Sequence, residues 1–267
     1  LRFKAKTFID ATGDADLAYM AGCPIQLGRE SDNRCQPMTL CFRVVNVDTV
    51  NWDRDGIQKL YKELQAKGKI KNPRENVLMF FVPHEHVVHF NSTRVIKHNP
   101  VDPLELSKAE AIAREQMLEL FNMLKKNFVA FKDATLFNSG ISIGVRESRM
   151  IIGKHVLNEQ ELKDCTKFED RICAGNYDID IHSPDGSGTS HYYFKDGEYY
   201  TIPYRCLIPQ KVNNLLVAGR CISSTHEAQA SYRIMPIVSA LGQAAGVAAG
   251  VANNADIDVA DADYKVI

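Results

Sequence analysis

NLLVAGRCISSTHEAQASYRIMPIVSALGQAAGVAAG, residues 214–250 of a 267-residue chain, decides the fold more than any other stretch. Leu215, Leu216, Val217 and Ala218 form a short continuous apolar run, the pattern of a buried strand. The run ends on Gly219-Arg220, passes through a polar loop, and gives way near Met235-Pro236 to a helix built almost wholly of small residues. Pro236 suits a first helical turn, where its missing N–H leaves no bond unmade. Gly242, Ala244, Ala245, Gly246, Ala248 and Ala249 predict a helix that can lie very close to a sheet or to a flat ligand. The spacing alone leaves two readings: a buried small-residue helix without a ligand, or a strand–loop–helix unit whose backbone approaches a cofactor.

At the other end of the chain, Phe8 to Ala11 reads as a strand running into a Thr12-Gly13-Asp14 turn. Asp16 to Gly22 then reads as a short helix. The opening LRFKAKTFID is a strand already under way and carries no initiator Met, so we expect the C-terminal part of a longer protein. Between the ends the pattern is mixed. Met38 to Val47, Asn76 to Val82, His86 to Val95, Asp133 to Val145, Ser148 to Leu157 and Tyr199 to Ile208 read as strands. Asp55 to Lys67 and Pro103 to Phe128 have helical spacing. Pro103 to Phe128 is the strongest helix, with acids near its start and Lys125 and Lys126 near its end, as the helix dipole favours. Two small terminal segments around a larger mixed region make an insertion pattern.

Composition narrows the function classes. Thirty-two basic and 33 acidic residues give a net charge of −1, which offers no electrostatic reason for binding nucleic acid or an anionic membrane. Seven cysteines without a C-x-x-C pair argue against a disulfide framework and a structural zinc site, and fit a reducing, cytoplasmic location. No run of about eighteen apolar residues is read as a membrane span.

The joint pattern AGR, polar loop, S-x-R-x-M-P and GQAAG-x-AA closely resembles the last FAD-contacting segment of the glutathione-reductase-like flavoproteins. It is closest to the bacterial FAD-dependent oxidoreductases related to fumarate reductase. The early A-T-G-D at Ala11 to Asp14 matches a strand end of the FAD domain in that family. FNSTRV, VDPLELSKAE, IGVRESRMIIGKHVL, NYDIDIH and YTIPYRCLIP resemble its substrate-domain segments, so the resemblance runs from about Lys6 to Ala252. It implies an α/β plus α+β fold: a Rossmann-like FAD-binding domain formed by the two chain ends, 1–23 and 203–267, and a mixed-sheet substrate domain, 24–202, between them. It implies hydride transfer between a small-molecule substrate and the flavin. It assigns Thr12, Gly13, Asp14, Gly219, Arg220, Met235, Pro236, Gly242, Gln243 and Ala244 to cofactor binding, with the helix near Met235 aiming its free N–H groups at the flavin.

One part of the pattern is missing: no strand, G-x-G-x-x-G and helix are present to cradle the pyrophosphate. The FAD domain is therefore expected to be incomplete, with weak or absent FAD binding by these 267 residues. The rival reading is a truncated, non-catalytic domain that binds no cofactor; a carbohydrate hydrolase is a weaker third, since no carboxylate pair has the context for it. The candidate catalytic residues are Arg146, Glu147 and Arg149 of VRESR, and His226 and Arg233. A paired Arg could hold a substrate carboxylate or sugar oxygens, and a His could move a proton near neutral pH. VRESR could equally be an ion pair joining the domains, and His226 an exposed loop histidine. HEHVVHF, residues 84–90, places His84 and His86 on one strand face, which we read as solvent-facing strand residues and not as a metal site. The aromatic cluster Tyr192 to Tyr204 is read as cross-strand packing in a hairpin turning at Lys195 to Gly197.

Overall fold

A computed structural model of the protein describes residues 2–82 and 86–267. In chain order the elements are β1 (Phe8–Asp10), α1 (Asp16–Met20), β2 (Ile25–Leu27), β3 (Phe42–Val45), α2 (Arg54–Ala66), β4 (Met79–Phe81), β5 (Val88–Phe90), α3 (Pro103–Asn127), β6 (Thr135–Ser139), β7 (Arg149–Ile151), α4 (Glu159–Lys163), β8 (Arg171–Gly175), β9 (Ile179–His182), β10 (Thr189–Tyr192), β11 (Tyr200–Pro203), β12 (Leu215–Val217), α5 (His226–Tyr232) and α6 (Met235–Ala255). The fold is mixed α/β with small sheets. His84 and Glu85 lie outside the described residues. His86 sits in a turn with φ +65°, two residues before β5 begins, so the strand expected from His86 starts later.

The chain divides into two compact units. One comprises Leu1–Cys35, Glu147–His182 and Thr189–Ile267; the other comprises Gln36–Arg146 and Ser183–Gly188. These limits differ from the expected junctions after residues 23 and 202. Links to the C-terminal segment explain the difference: Gly153 bridges Pro209, Leu157 bridges Ser224, and Ile151 N donates to Cys221 O, while β2 pairs antiparallel with β7 and so carries 24–35 into the same unit.

The Gln36–Arg146 unit is built on an antiparallel sheet of order β4-β5-β3-β6. Its buried strand residues Phe42, Val44, Met79, Val88 and Phe90 share one core with Ile57 and Tyr61 of α2 and with Ala109, Ala113, Leu120 and Leu124 of α3. Phe42 and Phe90 are direct cross-strand partners and stack at 4.8 Å. α3 forms where its sequence predicts: Asp102 accepts from Leu104 N and Glu105 N, Pro103 opens the helix, and Lys125 and Lys126 close it. Arg94 is buried, and its Nη1 donates to the carbonyls of Gly186 and Gly188, which ties the Ser183–Gly188 loop to this unit.

In the unit holding the chain ends, β1 and β12 run parallel, in register Phe8↔Leu215 to Asp10↔Val217. α6 packs on β8 at close range, because a Cβ on Gly175 would lie 2.7 Å from Ile237 Cδ1 and from the Tyr200 hydroxyl. The buried side of α6, with Leu241, Ala245, Ala248 and Ala252, joins a core that includes Tyr200, Ile202, Leu216 and Tyr232. By length and composition α6 is also apolar enough to cross a membrane, although the sequence suggested no such segment. Its alanines, glycines and valines carry no charge and raise the mean hydropathy without forming one unbroken run of large apolar side chains.

The expected aromatic hairpin does not form. A turn is present, with Glu198 N donating to Lys195 O, but β10 pairs with β9, and β11 pairs with β8. All four residues of β11 are buried, so its partner is set by the core rather than by the nearest turn. The packing reading survives in another form: Tyr192, Phe194 and Tyr200 contact one another at 5.4 and 5.5 Å between ring centroids. All seven cysteines are free thiols, and burial pushes Cys221 up to about 12.

Candidate functional site

Two loops leave the carboxyl ends of the adjacent parallel strands β1 and β12, which form a two-stranded sheet. The first is fixed from below by Asp10, whose buried carboxylate accepts from Thr12 N, the Thr12 hydroxyl and Ala18 N at 3.0, 2.7 and 2.8 Å. Gly13 follows at φ +82°, in the left-handed region, and a Cβ there would lie 2.5 Å from Arg220 Nη1. Arg220 belongs to the second loop; its Nη2 donates to Asp14 Oδ1 at 2.6 Å, and Ser148 Oγ donates to the same oxygen. Thr12, Gly13, Asp14 and Arg220 are therefore brought together. Arg220 Nε is buried without a hydrogen-bond partner. Beside it, a Cβ on Gly219 would enter open space.

α6 begins with Met235, 81% exposed, and Pro236, and no side chain caps its N-terminus. Gly242 and Gln243 face outward, while Ala244 is buried. The first-turn N–H groups of such a helix end are available to an acceptor.

His226 is not a loop residue. It opens α5, is 5% exposed, and receives both oxygens of Glu147, itself fully buried, at 2.8 and 2.9 Å on Nδ1. Facing a carboxylate, Nδ1 is the donor of this pair, and the ring orientation is fixed by it. His226 lines a cavity of about 290 Å³.

Arg233, which closes α5 two residues before α6 begins, sits against Asp180: Nη2 lies 3.6 Å from Oδ2. His182 Nε2 approaches the same carboxylate at 3.2 Å, and His191 Nε2 at 3.6 Å. Burial pushes Arg233 below the usual guanidinium range against the pull of Asp180, Tyr177 and Glu147. Burial raises Asp180, yet His182, Arg233 and His191 together hold it below the usual carboxylate range. Arg233 Nε and Asp180 Oδ1 have no hydrogen-bond partner. Sequence reasoning missed Asp180, His182 and His191. The signal was the D-x-H spacing, which puts both side chains on one side of β9.

The remaining candidates are placed apart. Arg149 donates to Asp16 and to the Asp14 carbonyl and covers the Tyr19 ring at 4.5 Å, so it braces α1. Arg146 lies in the other unit, where it donates to the Pro37 carbonyl and the Thr39 hydroxyl. Within VRESR, then, Glu147 pairs with His226 and Arg149 with Asp16. Among the described residues no three His, Cys, Asp or Glu side chains gather as a metal site.

Parallel strands with bridged loops at their carboxyl ends, a buried His–Glu pair and a long small-residue helix belong to a mixed α/β protein. The chain matches the family model of FAD dependent oxidoreductases over residues 1–267, and it belongs to that family. No curated protein and no solved structure matches it.

Proposed function

We propose that the chain takes part in hydride transfer between a small organic substrate and FAD, with the loops after β1 and β12 forming one wall of the FAD site. The single observation that carries the reading is the buried, unpartnered Nε of Arg220 beside Gly13 and Gly219. A buried donor without a partner costs about 1–3 kcal/mol, and an anionic cofactor would satisfy it. The fit is chemical as well: Gly219 leaves space for a close backbone approach, and the uncapped α6 N-terminus favours negative charge. Bound FAD would supply the hydride acceptor or donor. Thr12, Gly13, Asp14, Gly219 and Arg220 would hold it from one side, with Met235 and Pro236 at the helix end.

The chain's own residues would do the rest. His226 would accept or return a proton at Nε2 while Glu147 fixes its tautomer and orientation. Arg233 would orient the substrate from the α6 entrance. No G-x-G-x-x-G occurs in the 267 residues, and this favours a second reading, a domain that holds FAD weakly or not at all by itself. The two readings part on absorbance near about 450 nm, a property of oxidised flavin. In flavin-loaded protein, His226→Gln and Arg233→Ala should each lower turnover by about a hundredfold or more while FAD absorbance is retained. Unchanged turnover would remove that residue from the catalytic set.

A further inference from the structure

The sheet β4-β5-β3-β6 has a second face. Phe42 and Val44 of β3, Val88 and Phe90 of β5, and Met79 of β4 belong to the core. Strand alternation therefore turns Cys41 and Arg43, His89 and Asn91, and Leu78 and Phe80 to the opposite side. The ladder runs one residue past the strands here: Gly140 N donates to the Cys41 carbonyl and Asn91 N to the Leu78 carbonyl. None of the four strands contains Asp or Glu. Arg43 is exposed and has neither an ion pair nor a hydrogen bond among the described residues. Arg74 and Arg146 stand close enough to the Cys41 thiol to oppose the rise that burial gives its pKa. Arg146 Nη1 donates to the Pro37 carbonyl and the Thr39 hydroxyl. Arg74 is decisive: it is 5% exposed, its Nε donates to Asn76 Oδ1, and its Nη1 is buried without a hydrogen-bond partner. Glu75, the acid beside it in sequence, accepts from Gly188 N and lies 3.6 Å from Arg94 Nη1. Asn91 Oδ1 and His89 Nδ1 on the same face are also buried without a partner. Burial and Arg43 hold His89 below the usual imidazole range, so the positive charge here is that of the arginines.

We infer that this face binds a small hydroxy acid, its carboxylate on Arg74 and Arg43, its hydroxyl on Asn91, and its apolar part against Leu78 and Phe80. A guanidinium with an unused N–H offers the planar donors that a carboxylate accepts from. Asn91 Oδ1 is an acceptor, which a carboxylate alone leaves unmet and a hydroxyl donates to. An ammonium would meet like charge from the arginines. A neutral alcohol would leave Arg74 and Arg43 without a counter-charge. Phe80, 48% exposed, gives the apolar part of the ligand a ring to cover. The inference goes beyond the proposed function: it assigns a ligand class to the Gln36–Arg146 unit, and binding there requires no flavin.

Calorimetric titration of the purified 267-residue chain at low salt tests it, with sodium mandelate, sodium phenylacetate and mandelamide as probes. Mandelate should saturate at millimolar concentration, about tenfold tighter than phenylacetate, which lacks the hydroxyl, and than mandelamide, which lacks the charge. Arg43→Gln changes an exposed side chain, with thermal melting confirming the fold, and should weaken mandelate by about tenfold. Asn91→Ala should abolish the preference for mandelate over phenylacetate. Alkylation of Cys41 by iodoacetamide, followed on its own peptide by mass spectrometry, should slow in saturating mandelate and not in mandelamide. Mandelamide binding as tightly as mandelate, mandelate affinity unchanged in folded Arg43→Gln, a preference that survives Asn91→Ala, or Cys41 labelling indifferent to mandelate would each overturn it. Failure of the flavin reading would appear in cofactor absorbance and leave these titrations untouched.

Discussion

At Asp180, burial and charge pull in opposite directions, and charge wins. Because the folded carboxyl titrates below its unfolded value of about 3.9, its contribution to stability is complete above that value. The contribution fades as pH falls through about 3.9 and then through the lower folded value. Asp180→Asn should therefore cost about 1–3 kcal/mol near neutral pH, since Arg233 loses its counter-charge. Thermal melts of the two proteins should converge as pH drops below about 4. A gap that stays constant into acid would show that Asp180 acts by shape alone. At this scale the sequence was partly legible. His226, Glu147 and Arg233 stood out because their residue types announce proton or anion chemistry. Asp180 and His191 did not, since their meeting depends on β9 and β10 pairing across an irregular loop, with His191 directly opposite Asp180.

Elements whose information is local were read well. α3 has its cap, its opening proline and its closing lysines within its own sequence, and α6 announces itself by composition and by Pro236. Strand partners were read less well, because a turn sets where the chain reverses but burial decides what each strand pairs with. The same distinction governs the glycines. Gly242 and Gly246 lie on the outward face of α6, where a Cβ meets nothing. Gly242→Ala and Gly246→Ala should each stabilise the chain by about 0.5–1 kcal/mol in denaturant unfolding. Gly13→Ala should destabilise it instead, since its φ is +82° and Arg220 stands in the way. Gly13→Ala melting as well as the native chain would remove the argument that this turn is shaped by Arg220.

On the scale of the whole molecule, one compact unit gathers three separated segments of chain, while the other is nearly continuous. The limits of these units were not visible in the sequence. One pairing that sets them joins residues more than a hundred positions apart, Ile25 with Ile151. Joining the chain ends through β1 and β12 places the loops after both strands side by side, and this underlies the proposed cofactor wall. The most direct test is the equilibrium titration of FAD into the 267-residue chain and its Gly242→Leu variant, followed by flavin fluorescence. Leu at this outward position should leave the fold intact and obstruct the α6 face that the family resemblance implies for the cofactor. The account predicts weak, saturable binding, with a dissociation constant on the order of tens of micromolar or more, weakened about tenfold or more by Gly242→Leu. Equal affinity of the two proteins, or flavin copurifying one-to-one with the chain, would contradict it.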